Sequence, residues 1–284
     1  MICLLGFGEV GQTFAEDWGT GFTAWDVKFS DTSSIPSQAA KRLGVAVPSG
    51  AKMAVAAADV VVCAVTAAQD KAAAESVAAL MKPGAFFMDV NSASPGQKIE
   101  AADIIEAAGG LYVEAVIMSP IGNKRLASPV LLGGPHAEAF LPVAQKIGFS
   151  GASFFGAELG RASATKLCRS VIVKGIEALL TESMLAARHY GVEQAVLASM
   201  QDFFPGTEWE KLTRYMISRA VQHGTRRAEE MREAARTVAD TGLAPRMSAA
   251  TAELQDWATS FKSALQYQDL SAFLDAMSAE AGMK

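Results

Sequence analysis

The sequence predicts two domains of different class: an α/β domain with a mostly parallel, doubly wound sheet over residues 1–157, and an all-α domain over residues 158–284. Three observations predict this. Short apolar runs alternate with helical stretches through the first half, the pattern of strands joined by crossover helices. Val60-Val61-Val62-Cys63-Ala64-Val65 is continuously apolar, as a strand covered on both faces must be. Beyond residue 160 no strand pattern recurs, and long helical periodicities take over. With 284 residues, half of them hydrophobic, the chain can bury two cores.

The first apolar run, residues 1–5, reads as a strand rather than a secretory leader, because no basic segment precedes it and Gly6 ends it. Further strands are predicted at 22–27, 59–66, 85–90 and 111–118, with a sixth at 129–133. Helices fit residues 9–18, 69–81 and 94–108 between them. In the second half helices are predicted at 161–190, 208–223, 226–241 and 248–263, punctuated by Gly191, Pro205-Gly206, Gly242 and Pro245. A long helix starting at the domain boundary predicts closely joined domains with a cleft between them.

Composition narrows the function. A net charge of −5, with 19% charged residues, lacks the basic footprint of a nucleic-acid binder. No apolar run approaches the ~20 residues of a membrane helix, so the cytoplasm is the expected location. Cys3, Cys63 and Cys168 are far apart in apolar stretches and read as buried free thiols in a reducing compartment. No clustered ligands suggest a metal.

Gly6-Phe7-Gly8-Glu9-Val10-Gly11 is a G-x-G-x-x-G sequence between the first strand and the first helix. Its first glycine allows the tight turn, the second lets a pyrophosphate approach the backbone, and the third lets helix and strand pack closely. The helix that follows points its free N–H groups at the anion. Asp26 lies 20 residues after Gly6, at the end of the second strand, where a carboxylate bonds the adenosine ribose. Together these predict a Rossmann domain binding a nicotinamide dinucleotide. The Asp26 charge repels a 2′-phosphate, which favours NAD over NADP; Lys28, Lys41 and Arg42 are solvated charges or, if the loop folds back, phosphate contacts. Val65, Thr66 and Asn91 end two further strands and are expected to line the cofactor, while Asn91 to Ser94 also read as a helix cap before Pro95.

In the first predicted helix of the second half, Lys166, Ser170 and Lys174 lie four apart and share a face. Desolvation at a domain boundary, with Lys174 as a second cation, lowers the pKa of a lysine so placed, which can then accept a proton from an alcohol. A solvated surface lysine fits the spacing as well.

These residues carry a resemblance. The whole chain resembles the β-hydroxyacid dehydrogenases, which include 3-hydroxyisobutyrate and 6-phosphogluconate dehydrogenases. The match runs through the glycine loop, the Asp89-Val90-Asn91-Ser92-Ala93-Ser94-Pro95 segment, Glu114-Ala115-Val116-Ile117-Met118-Ser119-Pro120, Gly133-Gly134 and the lysine helix. The stretch His223-Gly224-Thr225-Arg226-Arg227-Ala228-Glu229-Glu230-Met231 resembles a bacterial branch with a distinctive helical C-terminal domain. The resemblance implies hydride transfer between NAD(P) and a small β-hydroxy acid or its oxo or semialdehyde form. It makes Lys166 the general acid/base, and it puts Ser170 where the family has an asparagine. Ser119, Gly122 and Lys174 fall where the substrate carboxylate is bound, although Met118-Ser119-Pro120-Ile121-Gly122 replaces the family's Ser-Gly-Gly turn and Pro120 removes a donor. The helical-domain lysine of the family has no evident counterpart; Arg226 or Arg227 stand nearest.

Other residues read more simply. His189 and His223 precede Gly191 and Gly224 and are expected at helix ends, and His136 in a loop or at a helix start. The aromatic residues Phe203, Phe204, Trp209, Trp257 and Phe261 predict a homodimer built through the C-terminal half. Two alternatives accompany the dehydrogenase reading: an imine reductase, whose relatives tend to lack the lysine, and a non-catalytic dinucleotide sensor.

Overall fold

The computed structural model describes residues 1–283, which form two compact units, one comprising Met1–Lys166 and the other beginning at Leu167. The first unit runs β1 (Ile2–Leu5), α1 (Glu9–Trp18), β2 (Phe22–Trp25), α2 (Ile35–Arg42), α3 (Ala51–Val55), β3 (Val60–Cys63), α4 (Asp70–Val77), β4 (Phe86–Asp89), α5 (Pro95–Ala107), β5 (Leu111–Ile117), α6 (Ile121–Lys124), β6 (Val130–Gly133), α7 (Ala137–Lys146) and β7 (Ala152–Gly156). It ends on the first turns of α8 (Arg161–His189). The second unit continues α8 and adds α9 (Glu193–Phe203), α10 (Trp209–Ala239), α11 (Arg246–Ala258) and α12 (Leu270–Glu280).

The seven strands form one sheet in the order β2-β1-β3-β4-β5-β6-β7, parallel except where β6 meets β5. Strand side chains alternate between faces. Leu4, Val62, Met88 and Val113 bury one way, against Phe14 and Phe140. Cys3, Val61, Phe87 and Tyr112 bury the other way, against Val77 and Ile105. Two covered faces account for the unbroken apolar run of β3. The carboxyl ends of β1, β3 and β4 lie along one edge, and the strand order reverses between β1 and β3, where such sheets open a ligand crevice.

Several elements differ from the expectation. The α/β part has a seventh strand, β7, in which Phe154 and Phe155 are both exposed, so no alternation marks it in the sequence. The helices expected at 208–223 and 226–241 are one helix, α10. Gly224 does not break it: a Cβ there would fall on the Gln255 carbonyl oxygen and 2.7 Å from Thr259 Cγ2, so the glycine admits the close approach of α11. His223 is accordingly inside a helix rather than at its end. The segment expected as a helix over 248–263 is α11 followed by a 3₁₀ stretch, Thr259–Gln266. Helices α9 and α12 have no counterpart in the expectation. Cys3 and Cys63 are buried, but Cys168 is exposed, because it occupies a different side of α8 from the buried Leu167. No helix of the described residues is long and apolar enough to cross a membrane.

Candidate active site

The glycine loop divides its work among its three glycines. Gly6 has φ +95°, and a Cβ on it would press on Ala64 and Val65, with Ala64 C and Val65 Cγ1 each at 2.8 Å. A Cβ on Gly11 would fall on the Gly6 carbonyl oxygen. Gly8, the N-cap of α1, meets nothing of the protein within 4 Å. Gly6 and Gly11 are therefore required by the fold, and Gly8 leaves open space in front of the helix N-terminus, where a pyrophosphate fits. Glu9 is exposed and Val10 half-buried in the first turn. Phe7 is wholly buried against Phe29, so only its backbone faces the loop.

Asp26 organises this region. Its Oδ2 accepts the Phe7 N–H at 2.7 Å, and its Oδ1 accepts the Lys28 N–H at 2.8 Å. The carboxylate thus ties the glycine loop to the end of β2, and two backbone bonds leave it with unused lone pairs. The Phe7 N–H is committed to Asp26. Lys28, Lys41 and Arg42 are exposed, and Arg42 Nη2 donates to Gln12 Oε1 at 3.3 Å.

Along the same strand-end edge, Val65 and Thr66 follow β3, half-buried and exposed. Asn91 and Ser92 follow β4, with Pro95 in the first turn of α5. Asn91 is 4% exposed and bonds inward: Oδ1 accepts the Val65 N–H at 2.7 Å, and Nδ2 donates to Asp70 Oδ1 at 2.8 Å. Its side chain thus holds two loops together. Ser92, not singled out by the sequence, meets the lysine: Lys166 Nζ donates to Ser92 Oγ at 2.7 Å, and Lys166 is half-buried.

The placement of Lys166 traces to Glu114, a fully buried carboxylate on β5. Glu114 Oε2 accepts the Gly160 N–H at 2.9 Å, and Oε1 accepts the Ser163 N–H at 2.7 Å. These are free donors of the α8 N-terminus, where an anion is stabilised by the dipole and by the bonds themselves. A Cβ on Gly133, opposite on β6, would stand 2.7 Å from Glu114 Oε2, so this glycine leaves room for the carboxylate. Lys166 lies one turn further along α8. Glu114 is a strand residue with an apolar-run signature, and nothing in its spacing marks it as a helix cap.

Ser119 follows β5 with its Oγ buried and without a hydrogen-bond partner among the described residues. A buried hydroxyl without a protein partner is met by an ordered water or by a ligand. Gly122 is exposed in α6 and open on its Cβ side.

Two sequence-predicted residues belong to the second unit and form a cluster there. Lys174 Nζ donates to Ser170 Oγ at 3.0 Å and pairs with Glu230 Oε2 on α10 at 2.7 Å; Lys174 and Ser170 are buried. Arg226 also bonds Glu230, at 2.5 Å. One turn further along α8, Glu177 pairs with Arg227 at 2.8 Å and accepts from Gln255 at 3.0 Å. Burial raises the Glu177 carboxyl, against the pull of Arg227. The Lys174 charge is matched within its own unit, a partner that spacing along α8 could not reveal.

Comparison with known proteins agrees with this architecture. A conserved hypothetical protein from Sinorhizobium meliloti 1021 is 32% identical, with 98% of this chain and 96% of that one covered and a TM-score of 0.79. A conserved protein of unknown function, described as structurally similar to 3-hydroxyacid dehydrogenases, is 28% identical over 90% of this chain and 96% of its own, at a TM-score of 0.71. The Mycobacterium tuberculosis 3-hydroxyisobutyrate dehydrogenase with L-serine shares the fold at 20% identity, 97% and 98% coverage and a TM-score of 0.73. Residues 187–258 match a domain of unknown function, DUF1932. Residues 1–148 match the NAD binding domain of 6-phosphogluconate dehydrogenase, and the chain belongs to that family.

Proposed function

We propose that the protein is an NAD-dependent dehydrogenase, or the reverse reductase, acting on a small β-hydroxy acid or its oxo or semialdehyde form. The observation that carries the reading is the Lys166 amine, held at 2.7 Å from Ser92 Oγ on the strand-end edge that also bears the glycine loop. The dinucleotide supplies a hydride acceptor. Gly8 leaves its pyrophosphate room, and Asp26 takes ribose hydroxyls while its charge opposes a 2′-phosphate. Lys166 takes the hydroxyl proton as the substrate is oxidised, and Ser92 Oγ orients the amine. The buried Ser119 hydroxyl receives the substrate carboxylate, with the open backbone at Gly122 beside it. Lys174, matched by Glu230, serves through this pair rather than as a free cation.

The reading extends to a cytoplasmic homodimer. Of the aromatic residues expected at the interface, Phe203, Phe204 and Trp257 are exposed and support self-association, as does exposed Tyr215, whereas Phe261 and Trp209 pack into the core of the second unit; three free thiols support a reducing compartment.

A screen of hydroxy acids, aldehydes and cyclic imines with NAD and NADP, read at the reduced-nicotinamide absorbance, tests the activity. Lys166→Ala is expected to lower turnover by roughly 10²–10⁴-fold, with dinucleotide affinity nearly unchanged. Lys166→Arg fails as well, because guanidinium keeps its proton. Turnover of imines alone assigns imine reduction instead, and dinucleotide binding without turnover of any class points to a sensor. A Lys166→Ala enzyme retaining most of its turnover overturns the assignment.

A further inference from the structure

Beneath the strand ends that carry Val65 and Ser92 lies a buried polar cluster. Asp70 on α4, Asp89 on β4, Lys98 on α5 and Tyr112 on β5 are all fully buried. Lys98 Nζ pairs with Asp89 Oδ1 at 2.7 Å and donates to the Asp89 carbonyl oxygen at 3.1 Å. Tyr112 donates its hydroxyl to Asp89 Oδ2 at 2.6 Å. Asn91 closes the cluster from above, and its own N–H donates to Asp89 Oδ1 at 2.9 Å.

An asparagine amide can turn over and exchange its oxygen and nitrogen. Here only one orientation satisfies both neighbours. The Val65 N–H requires an oxygen on its side, and Asp70 Oδ1 faces the nitrogen at 2.8 Å. Asp70 and the Val65 N–H therefore fix together which way Asn91 points, with Cys63 Sγ a longer contact of the same nitrogen at 3.4 Å, and Asn91 is joined directly to Ser92. The charges agree with this role. One ammonium, Lys98, faces two carboxyls. Burial opposes the Lys98 charge, but Asp89, Asp70 and Glu114 outweigh it and the ammonium holds its proton more tightly than usual. Burial, and then the Asp89 carboxylate, push the Asp70 carboxyl up to about 8. Burial thus favours the neutral form of the Asp70 carboxyl.

We propose that Asp70 is a positioning residue: its carboxyl orients the Asn91 amide, and through it the Val65 and Ser92 backbone against which the Lys166 amine is held. This role rests on the reading of Lys166 as the proton-transfer group.

The experiment uses the full chain and two variants, Asp70→Val and Asp70→Asn. Valine removes the carboxyl acceptor of Asn91 Nδ2 and leaves it only the longer contact with Cys63 Sγ. Asparagine keeps an oxygen for Asn91 Nδ2 and stays neutral. The chain is reductively methylated with ¹³C, and the Lys166 resonance is assigned by its absence in Lys166→Arg. Its chemical shift is followed with pH, alongside turnover of the best hydroxy acid from the screen. Asp70→Val is expected to move the Lys166 resonance and to lower kcat by about tenfold or more, as small misplacements of a reacting group do. Asp70→Asn is expected to restore both to near the wild-type values. The wild-type Lys166 resonance is also expected to show an inflection near the Asp70 pKa that Asp70→Asn lacks. Cys63, Asp89, Lys98, Tyr112 and Glu114, the other titratable groups of the cluster and its surroundings, are the same in both proteins. If Asp70→Val does not fold, this comparison of titration curves decides alone. Wild-type shift and kcat in Asp70→Val, a folded Asp70→Asn impaired as much as Asp70→Val, or identical titration curves in wild type and Asp70→Asn overturn the proposal. If Lys166→Ala keeps its turnover, the proton-transfer reading fails, and the resonance still decides whether Asp70 positions the amine.

Discussion

Alanine at each of the three loop glycines separates folding from dinucleotide binding. At Gly8 the backbone is extended, φ −76° and ψ −161°, and the added methyl meets no protein atom. Two small effects oppose each other. Alanine is a poorer N-cap than glycine by about 0.5–1 kcal/mol, and it restrains the unfolded chain by about 0.4–1 kcal/mol. The expected change in stability is within about 1 kcal/mol of zero. The methyl does occupy the space in front of the α1 N-terminus. Overpacking of this kind costs about 1–3 kcal/mol, hence a loss of about 5- to 150-fold in dinucleotide affinity. At Gly11 the methyl falls on the Gly6 carbonyl, and the cost of about 1–3 kcal/mol or more falls on the fold. At about 2–4 °C per kcal/mol, a 3 kcal/mol loss lowers Tm by about 6–12 °C. Gly6→Ala adds the strain of φ +95° to its clash with Ala64 and is the most destabilising of the three. Calorimetric titration with NAD and NADP, beside thermal unfolding without nucleotide, measures both quantities. A Gly8→Ala protein with wild-type affinity, or one whose Tm falls as far as that of Gly11→Ala, refutes the division of roles.

Three further outcomes are expected. Asp26→Ser shifts the ratio of NAD to NADP affinity toward NADP by removing the charge that opposes a 2′-phosphate; an unchanged ratio means that Asp26 only braces the Phe7 and Lys28 amides. Glu114→Ala leaves the Gly160 and Ser163 N–H groups without their acceptor and costs roughly 2–5 kcal/mol in chemical denaturation, so a loss under ~1 kcal/mol contradicts its capping role. The folded-state pKa of Asp70 is raised from 3.8 to about 8, so the folded chain keeps a proton that the unfolded chain releases, and stability is lost as pH rises through that window. Denaturation midpoints measured from pH 4 to 9 are expected to fall less steeply in Asp70→Asn, and equal slopes would exclude Asp70 as the source.

The sheet was legible because its strands are buried on both faces and its turns are marked by glycine. Strand β7 was not, because an edge strand with Phe154 and Phe155 exposed carries no alternation. Gly224 misled for a related reason. A glycine that admits a neighbouring helix has the same sequence signature as one that ends its own, and only the Gln255 carbonyl distinguishes them. In the candidate site, the glycine loop, Asp26 and Lys166 follow from position along the chain. Ser92, Asp70, Lys98 and Glu114 do not, since their partners are 74, 21, 9 and 46–49 residues away. Contacts between distant strands and helices leave no periodic trace, and a carboxylate that caps a helix from another element resembles any other polar residue inside a strand.

The capping of α8 by Glu114 bears on how the chain is made and how it is cut. Forty-nine residues separate Glu114 from Ser163. At about 5–20 residues per second of synthesis, the strand carrying this carboxylate exists for roughly 2–10 s before its second amide is added. Until then a charge destined for the interior lacks its donors, and the sheet cannot close around it without penalty. The same dependence governs dissection. A fragment ending at residue 157, where the strand pattern stops, discards both amides, whereas one ending at Lys166 retains them.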